Sequence, residues 1–96
     1  MYMAFDIRFG EVKNQILKST KGVSFEDVRD AIEDGNLLAD IAHANLKRSK
    51  QRMYVVKIND YVYIIPYIIN LEKKDLFLKT AYPSRKYTKL YKEGEK

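Results

Sequence analysis

The chain has 96 residues, enough for one domain with one core, here residues 1–96, and 46% of them are hydrophobic, 12% aromatic and 32% charged, a globular mixture. It has no cysteine and a single histidine, His43, which excludes disulfide scaffolds, thiolate zinc sites, iron–sulfur sites, cysteine nucleophiles and two-histidine metal centres. The formal charge of +5 is unevenly spread. From Ser24 to Asn45 the acids Glu26, Asp27, Asp30, Glu33, Asp34 and Asp40 stand against Arg29 alone. Lys47, Arg48, Lys50, Arg52 and Lys57 form one basic block, and Lys79, Arg85, Lys86, Lys89, Lys92 and Lys96 another, diluted only by Glu93 and Glu95.

The weak alternation of Met3-Ala4-Phe5 and Ile7-Arg8-Phe9 predicts a short first strand. Gly10 opens a helix over Glu11–Lys21, with Val12, Ile16 and Leu17 on one apolar face and Gly22 as its C-terminal cap. Ser24 caps a second helix. Its hydroxyl faces the N–H of Asp27, and Phe25, Val28 and Ile32 form the apolar stripe. Gly35 ends that helix. Leu37–Ala42 reads as a strand, and Lys47–Gln51 as a polar loop. Met53–Ile58 and Tyr61–Ile65 read as strands joined by an Asn59-Asp60 turn, the second apolar throughout and so central in its sheet. Pro66 cannot donate to a ladder and so predicts an edge or a bulge near that strand's end. Asn70–Lys74 is the next turn and Asp75–Tyr82 the last strand. Pro83 starts a helix with Tyr87, Leu90 and Tyr91 inward and Arg85, Lys89 and Lys92 outward. The expectation is an α+β fold: a helical hairpin packed on an antiparallel sheet of about four to five strands, then a short basic C-terminal helix.

The segments Phe9-Gly10-Glu11-Val12-Lys13-Asn14, Gly22-Val23-Ser24-Phe25-Glu26-Asp27 and Lys79-Thr80-Ala81-Tyr82-Pro83-Ser84-Arg85-Lys86-Tyr87-Thr88 resemble strings of the BrnT family of type II toxins, within the RelE-like superfamily. The likeness runs from Phe9 to Tyr91. It implies a RelE-like fold and a ribonuclease that cleaves messenger RNA in the cytoplasm. It also implies a small cognate antitoxin, typically of ribbon-helix-helix type, through which alone the complex would touch DNA. A homodimer or the antitoxin complex would cover exposed apolar surface. Tyr87 stands where the family commonly has a small residue, no acid precedes Glu93, and Phe9 replaces the family's usual Trp. The missing acid favours the alternative of a non-catalytic module that binds RNA or protein.

RNA carries its own nucleophile, the 2′-OH, so cleavage needs charge stabilisation and proton transfer rather than a metal or cofactor, and neither is expected. Arg85 is the first choice for the phosphate clamp, with Lys79 and Arg52 converging on the same pocket. His43 is the one side chain whose ordinary pKa suits acid–base work near neutrality. Lys50, Lys86, Lys89 and Tyr87 are candidate RNA contacts, weighed against surface charge for the lysines and core packing for Tyr87. The apolar runs are too short for the roughly 20 residues that cross a bilayer, and Met1–Arg8 does not read as a secretory leader, so no membrane role is expected.

Overall fold

The computed structural model describes residues 5–42 and 51–94. His43 and Lys50 therefore lie outside the described residues, as do Met3 and Ala4. The elements run β1 (Asp6–Phe9), α1 (Glu11–Lys21), α2 (Phe25–Glu33), β2 (Leu37–Ala42), β3 (Gln51–Ile58), β4 (Tyr61–Asn70), β5 (Asp75–Leu78), β6 (Tyr82–Pro83) and α3 (Arg85–Gly94). The class is α+β, with an open sheet ordered β1-β5-β4-β3-β2 and β6 beside β4. The sheet is mixed rather than antiparallel throughout, because β1 runs parallel to β5. Parallel partners need a long crossover, and the intervening helices and meander supply it.

The helical hairpin forms where its caps predict. Gly22 takes the left-handed conformation (φ 69°) that ends α1. Ser24 Oγ accepts from Asp27 N–H at 3.1 Å while the Asp27 carboxylate accepts from Ser24 N–H at 2.9 Å. The face that α1 buries differs from the expected one. Leu17 and Asn14 are buried, whereas Val12 and Ile16 are exposed. Asn14 decides this: its Oδ1 accepts from Phe25 N–H at 2.7 Å, and its Nδ2 donates to both oxygens of Glu26. One polar side chain thus rotates α1 about its axis to satisfy the start of α2.

Side chains of β3 and β4 alternate between two cores. Tyr54, Val56, Ile58, Ile65 and Tyr67 pack under the hairpin with Phe25 and Val28. Val55, Val62 and Ile64 pack on the opposite face against Tyr87 and Tyr91 of α3. The sheet is therefore sandwiched between α1–α2 and α3. Asn59 and Asp60 both take positive φ (52° and 66°) in the β3–β4 turn, as the hairpin reading expects.

Four boundaries differ from the sequence reading. The first is that β3 already begins at Gln51, within the expected polar loop before Met53. Pro66 does not end β4, which continues to Asn70. Within a strand a residue's N and C=O point to the same neighbour. The Pro66 carbonyl accepts from Lys79 N–H at 2.9 Å, on the side away from β3, so the missing donor removes no bond from the β3 ladder. The last strand is not continuous from Asp75 to Tyr82: β5 stops at Leu78 and the chain returns to β4 only at β6. Pro83 belongs to β6, and the helix begins one cap residue later. Within α3, Thr88 is buried and Leu90 exposed, the reverse of the expected place for Leu90.

Candidate functional site

The candidate cations fall on the two faces of the sheet. On the hairpin face, Arg52 Nε donates to Asp40 Oδ1 at 3.1 Å and Arg52 Nη2 to the Asp40 carbonyl at 3.2 Å. Tyr67 Oη donates to the same Asp40 Oδ1 at 2.6 Å, and its ring stacks on Tyr54 with centroids 4.0 Å apart. A bulge makes this cluster. The β2–β3 register steps between Leu37 and Ala39, which puts Asp40 opposite Tyr54 and Ala42 opposite Arg52. Without the extra residue Asp40 would point to the α3 face. The hydrogen bond to Asp40 raises the Arg52 pKa further above its ordinary value. Burial, followed by the Asp40 carboxylate, pushes the Tyr67 hydroxyl well above the ordinary range for tyrosine. Arg52 is thus committed to a carboxylate. Sequence reasoning placed Arg52 among the clamps and missed Asp40 and Tyr67, since the bulge leaves no mark in the Leu37–Ala42 pattern.

Arg85 opens α3 on the opposite face. Ser84 caps this helix, accepting from Tyr87 N–H at 3.2 Å through Oγ and from Thr88 N–H at 3.0 Å through its carbonyl. The first turn is then tied to β4 twice. Ser84 N–H donates to the Val62 carbonyl, and Val62 N–H donates to Thr88 Oγ1, both at 2.9 Å. Thr88 also donates to the Ser84 carbonyl at 2.7 Å, so its hydroxyl both donates and accepts within the fold. Arg85 is therefore fixed near Val62, whereas Arg52 pairs with Tyr67 five residues further along β4. At a strand rise of about 3.4 Å per residue the two anchor points are about 17 Å apart, on opposite faces of the sheet. The expected convergence of Arg85 and Arg52 on one pocket does not occur. Lys79 follows β5 and is exposed, its backbone beside Pro66 and so nearer the Tyr67 end of β4 than the Val62 end.

What the structure does bring together is a cationic helix. Arg85, Lys86, Lys89 and Lys92 are all exposed, and Arg85–Lys92 contains no acid. Among the described residues none of these four forms an ion pair. Lys86 Nζ stands 5.8 Å from the centroid of the Tyr87 ring, which stacks on Tyr91 at 6.4 Å. Both rings are half-buried on the Val55, Val62 and Ile64 cluster, so packing accounts for most of Tyr87. The acidic helix α2, with Glu26, Asp27, Asp30 and Glu33, sits on the other side of the sheet. A polyanion approaching the molecule is drawn to α3 and turned away from α2. Among the described residues no three His, Asp or Glu side chains gather as a metal site, and no helix is long and apolar enough to cross a membrane. Comparison with known proteins finds no family model, no curated protein and no solved structure that matches this chain.

Proposed function

We propose that this domain engages RNA through the outer face of α3, with Arg85 as the principal phosphate clamp and Lys86, Lys89 and Lys92 tracking the backbone. The observation that carries the reading is a helix with four exposed cations that form no ion pair among the described residues, pinned by Ser84 and Thr88 on the side of the sheet away from the acidic helix. Arginine's planar fork matches two phosphate oxygens, and the helix N-terminus at Ser84 adds to the positive field at Arg85. The resemblance to BrnT toxins supports the fuller form of this proposal: a RelE-like cytoplasmic toxin, neutralised by a ribbon-helix-helix antitoxin, in which the substrate's 2′-OH gives up its proton and attacks the phosphate held by Arg85, the 2′,3′-cyclic phosphate forming as the P–O5′ bond breaks and the leaving 5′-oxygen takes up a proton. Arg52, held by Asp40 on the other face, is left out of that set. A second reading, RNA binding without cleavage, is favoured by the sequence of α3, which has no acid between Arg85 and Glu93 to move a proton.

The test is incubation of the full chain with RNA in the presence of a chelator, alongside binding measured over a salt series. Cleavage leaving 2′,3′-cyclic ends supports the toxin; salt-sensitive binding without cleavage supports the module. If RNA is neither bound nor cut, both readings fail. Taking one cation off the phosphate backbone, as in Arg85→Ala, lowers the slope of log K against log salt by about 0.7 for single strands.

A further inference from the structure

Side chains alternate across β4 and β5, and the two faces are covered unequally. Ile65, Tyr67, Leu76 and Leu78 point under the hairpin and are buried. Ile68 and Phe77, paired across β4 and β5, point to the α3 face instead. Tyr87 and Tyr91 of α3 cover Val55, Val62 and Ile64 on that face, but Ile68 and Phe77 belong to neither core and are 36% and 45% exposed. The other three phenylalanines, Phe5, Phe9 and Phe25, all pack in the hairpin core.

Along β4 this face runs from acid to base. Asp75 lies opposite Asn70, with Asp6 beside it on β1, and Arg8 holds Asp75 at 3.1 Å. Phe77 comes next, opposite Ile68. Lys79 follows, its N–H on the Pro66 carbonyl, and then Arg85, next to the Ser84 whose N–H donates to the Val62 carbonyl. Lys79 and Arg85 are exposed and form no ion pair among the described residues. From Ile68 to Val62 the strand rises about 20 Å.

We propose that Phe77, bedded on Ile68, is a stacking platform for an unpaired base, so that the RNA this domain takes is single-stranded. The inference rests on the RNA reading of α3 and names the class of RNA. The phosphates run from Phe77 past Lys79 to Arg85, away from the Asp6 and Asp75 end, where the acids oppose them. A ring on an open sheet face stacks an unpaired base whatever its sequence. Inside a duplex the bases are already stacked on one another and the phosphates stand outside, so a duplex reaches the α3 cations but not Phe77.

The experiment measures binding of the full chain to a fluorescein-labelled 2′-O-methyl oligouridine and to its duplex with 2′-O-methyl oligoadenosine. Neither probe has the attacking hydroxyl, so cleavage does not intrude. The unaltered chain is expected to prefer the single strand. Phe77→Ala weakens single-strand binding about fivefold or more and leaves the duplex unchanged, in line with the loss of one stacked base. Leu71→Ala, at another exposed apolar residue, changes neither. Phe77 lies outside both cores, so its variants keep the fold, which circular dichroism checks. Phe77→Trp gives the chain its one tryptophan, whose emission the single strand quenches. An equal loss on strand and duplex, or no loss on either, overturns the platform while the α3 reading stands. If neither probe binds, both fall. Sedimentation showing a dimer that Phe77→Ala dissociates also overturns it, because a second copy then covers the patch.

Discussion

The hairpin face and the α3 face of one sheet are closed to different depths, and the helices α2 and α3 on them carry opposite charge. Under the hairpin, Phe25, Val28, Ile65 and Tyr67 are wholly inaccessible to solvent, and Phe9 adds a ring 5.1 Å from Phe25. Under α3, Val55, Val62 and Ile64 are covered, but the tyrosines covering them remain half exposed. Each layer is registered by a buried polar residue, Asn14 for the hairpin and Thr88 for α3. The difference separates two tasks. The hairpin face supplies most of the hydrophobic stabilisation, while α3 is a thinner layer that leaves its cations available.

The largest effect that tests this division is in the two cores. Phe25→Ala is expected to cost about 3–5 kcal/mol, the range for removing a buried ring. Tyr91→Ala removes a half-exposed ring and is expected to cost about 1 kcal/mol. Urea denaturation of both variants measures the contrast, and equal losses would remove it. The polar anchors come next. Asn14→Ala strands the Phe25 N–H and loosens Glu26, for about 1–3 kcal/mol of global stability. Thr88→Val strands only the Val62 N–H at the α3 latch. Its signature is faster amide exchange confined to α3 and β6, with β3 and β5 protected as before. Exchange that rises across the whole sheet would show that α3 is not a separable layer.

Much of this contrast could be read along the chain, where its causes are local. The caps at Gly22 and Ser24, the Asn59-Asp60 turn, the centrality of β4 and the charge difference between Glu26–Asp34 and Arg85–Lys92 all follow from residues within a few positions of each other. What could not be read depends on non-local pairing. Val12 and Ile16 have the right spacing for a buried stripe, but Asn14 is drawn inward by the free N–H at the start of α2. Pro66 is tolerated mid-strand because its missing donor faces the gap between β5 and β6. The candidate site was half legible. The basic helix with Arg85, Lys86 and Lys89 is evident from composition, whereas Arg52 was drawn into a common pocket because nothing in Leu37–Ala42 announces the bulge that hands it Asp40.

The smallest expected effect is a pH dependence confined to the hairpin face. Tyr67 is buried with its hydroxyl on Asp40, and its pKa is raised in the folded state. In the unfolded chain it titrates near the ordinary value of about 10. Below that pH the phenol is neutral in both states, and its contribution to stability is fully present. Above it the unfolded tyrosine loses its proton while the folded one keeps it, so stability falls as pH rises, by about 0.4 kcal/mol at pH 10 and about 1.4 kcal/mol at pH 11. Tyr67→Phe loses the hydrogen bond to Asp40 at every pH but abolishes this part of the alkaline fall. Urea midpoints for the two proteins between pH 8 and 11 should therefore converge as pH rises. Parallel curves would mean that water reaches the phenol in the folded state, and the hairpin face would then be no better sealed than the α3 face.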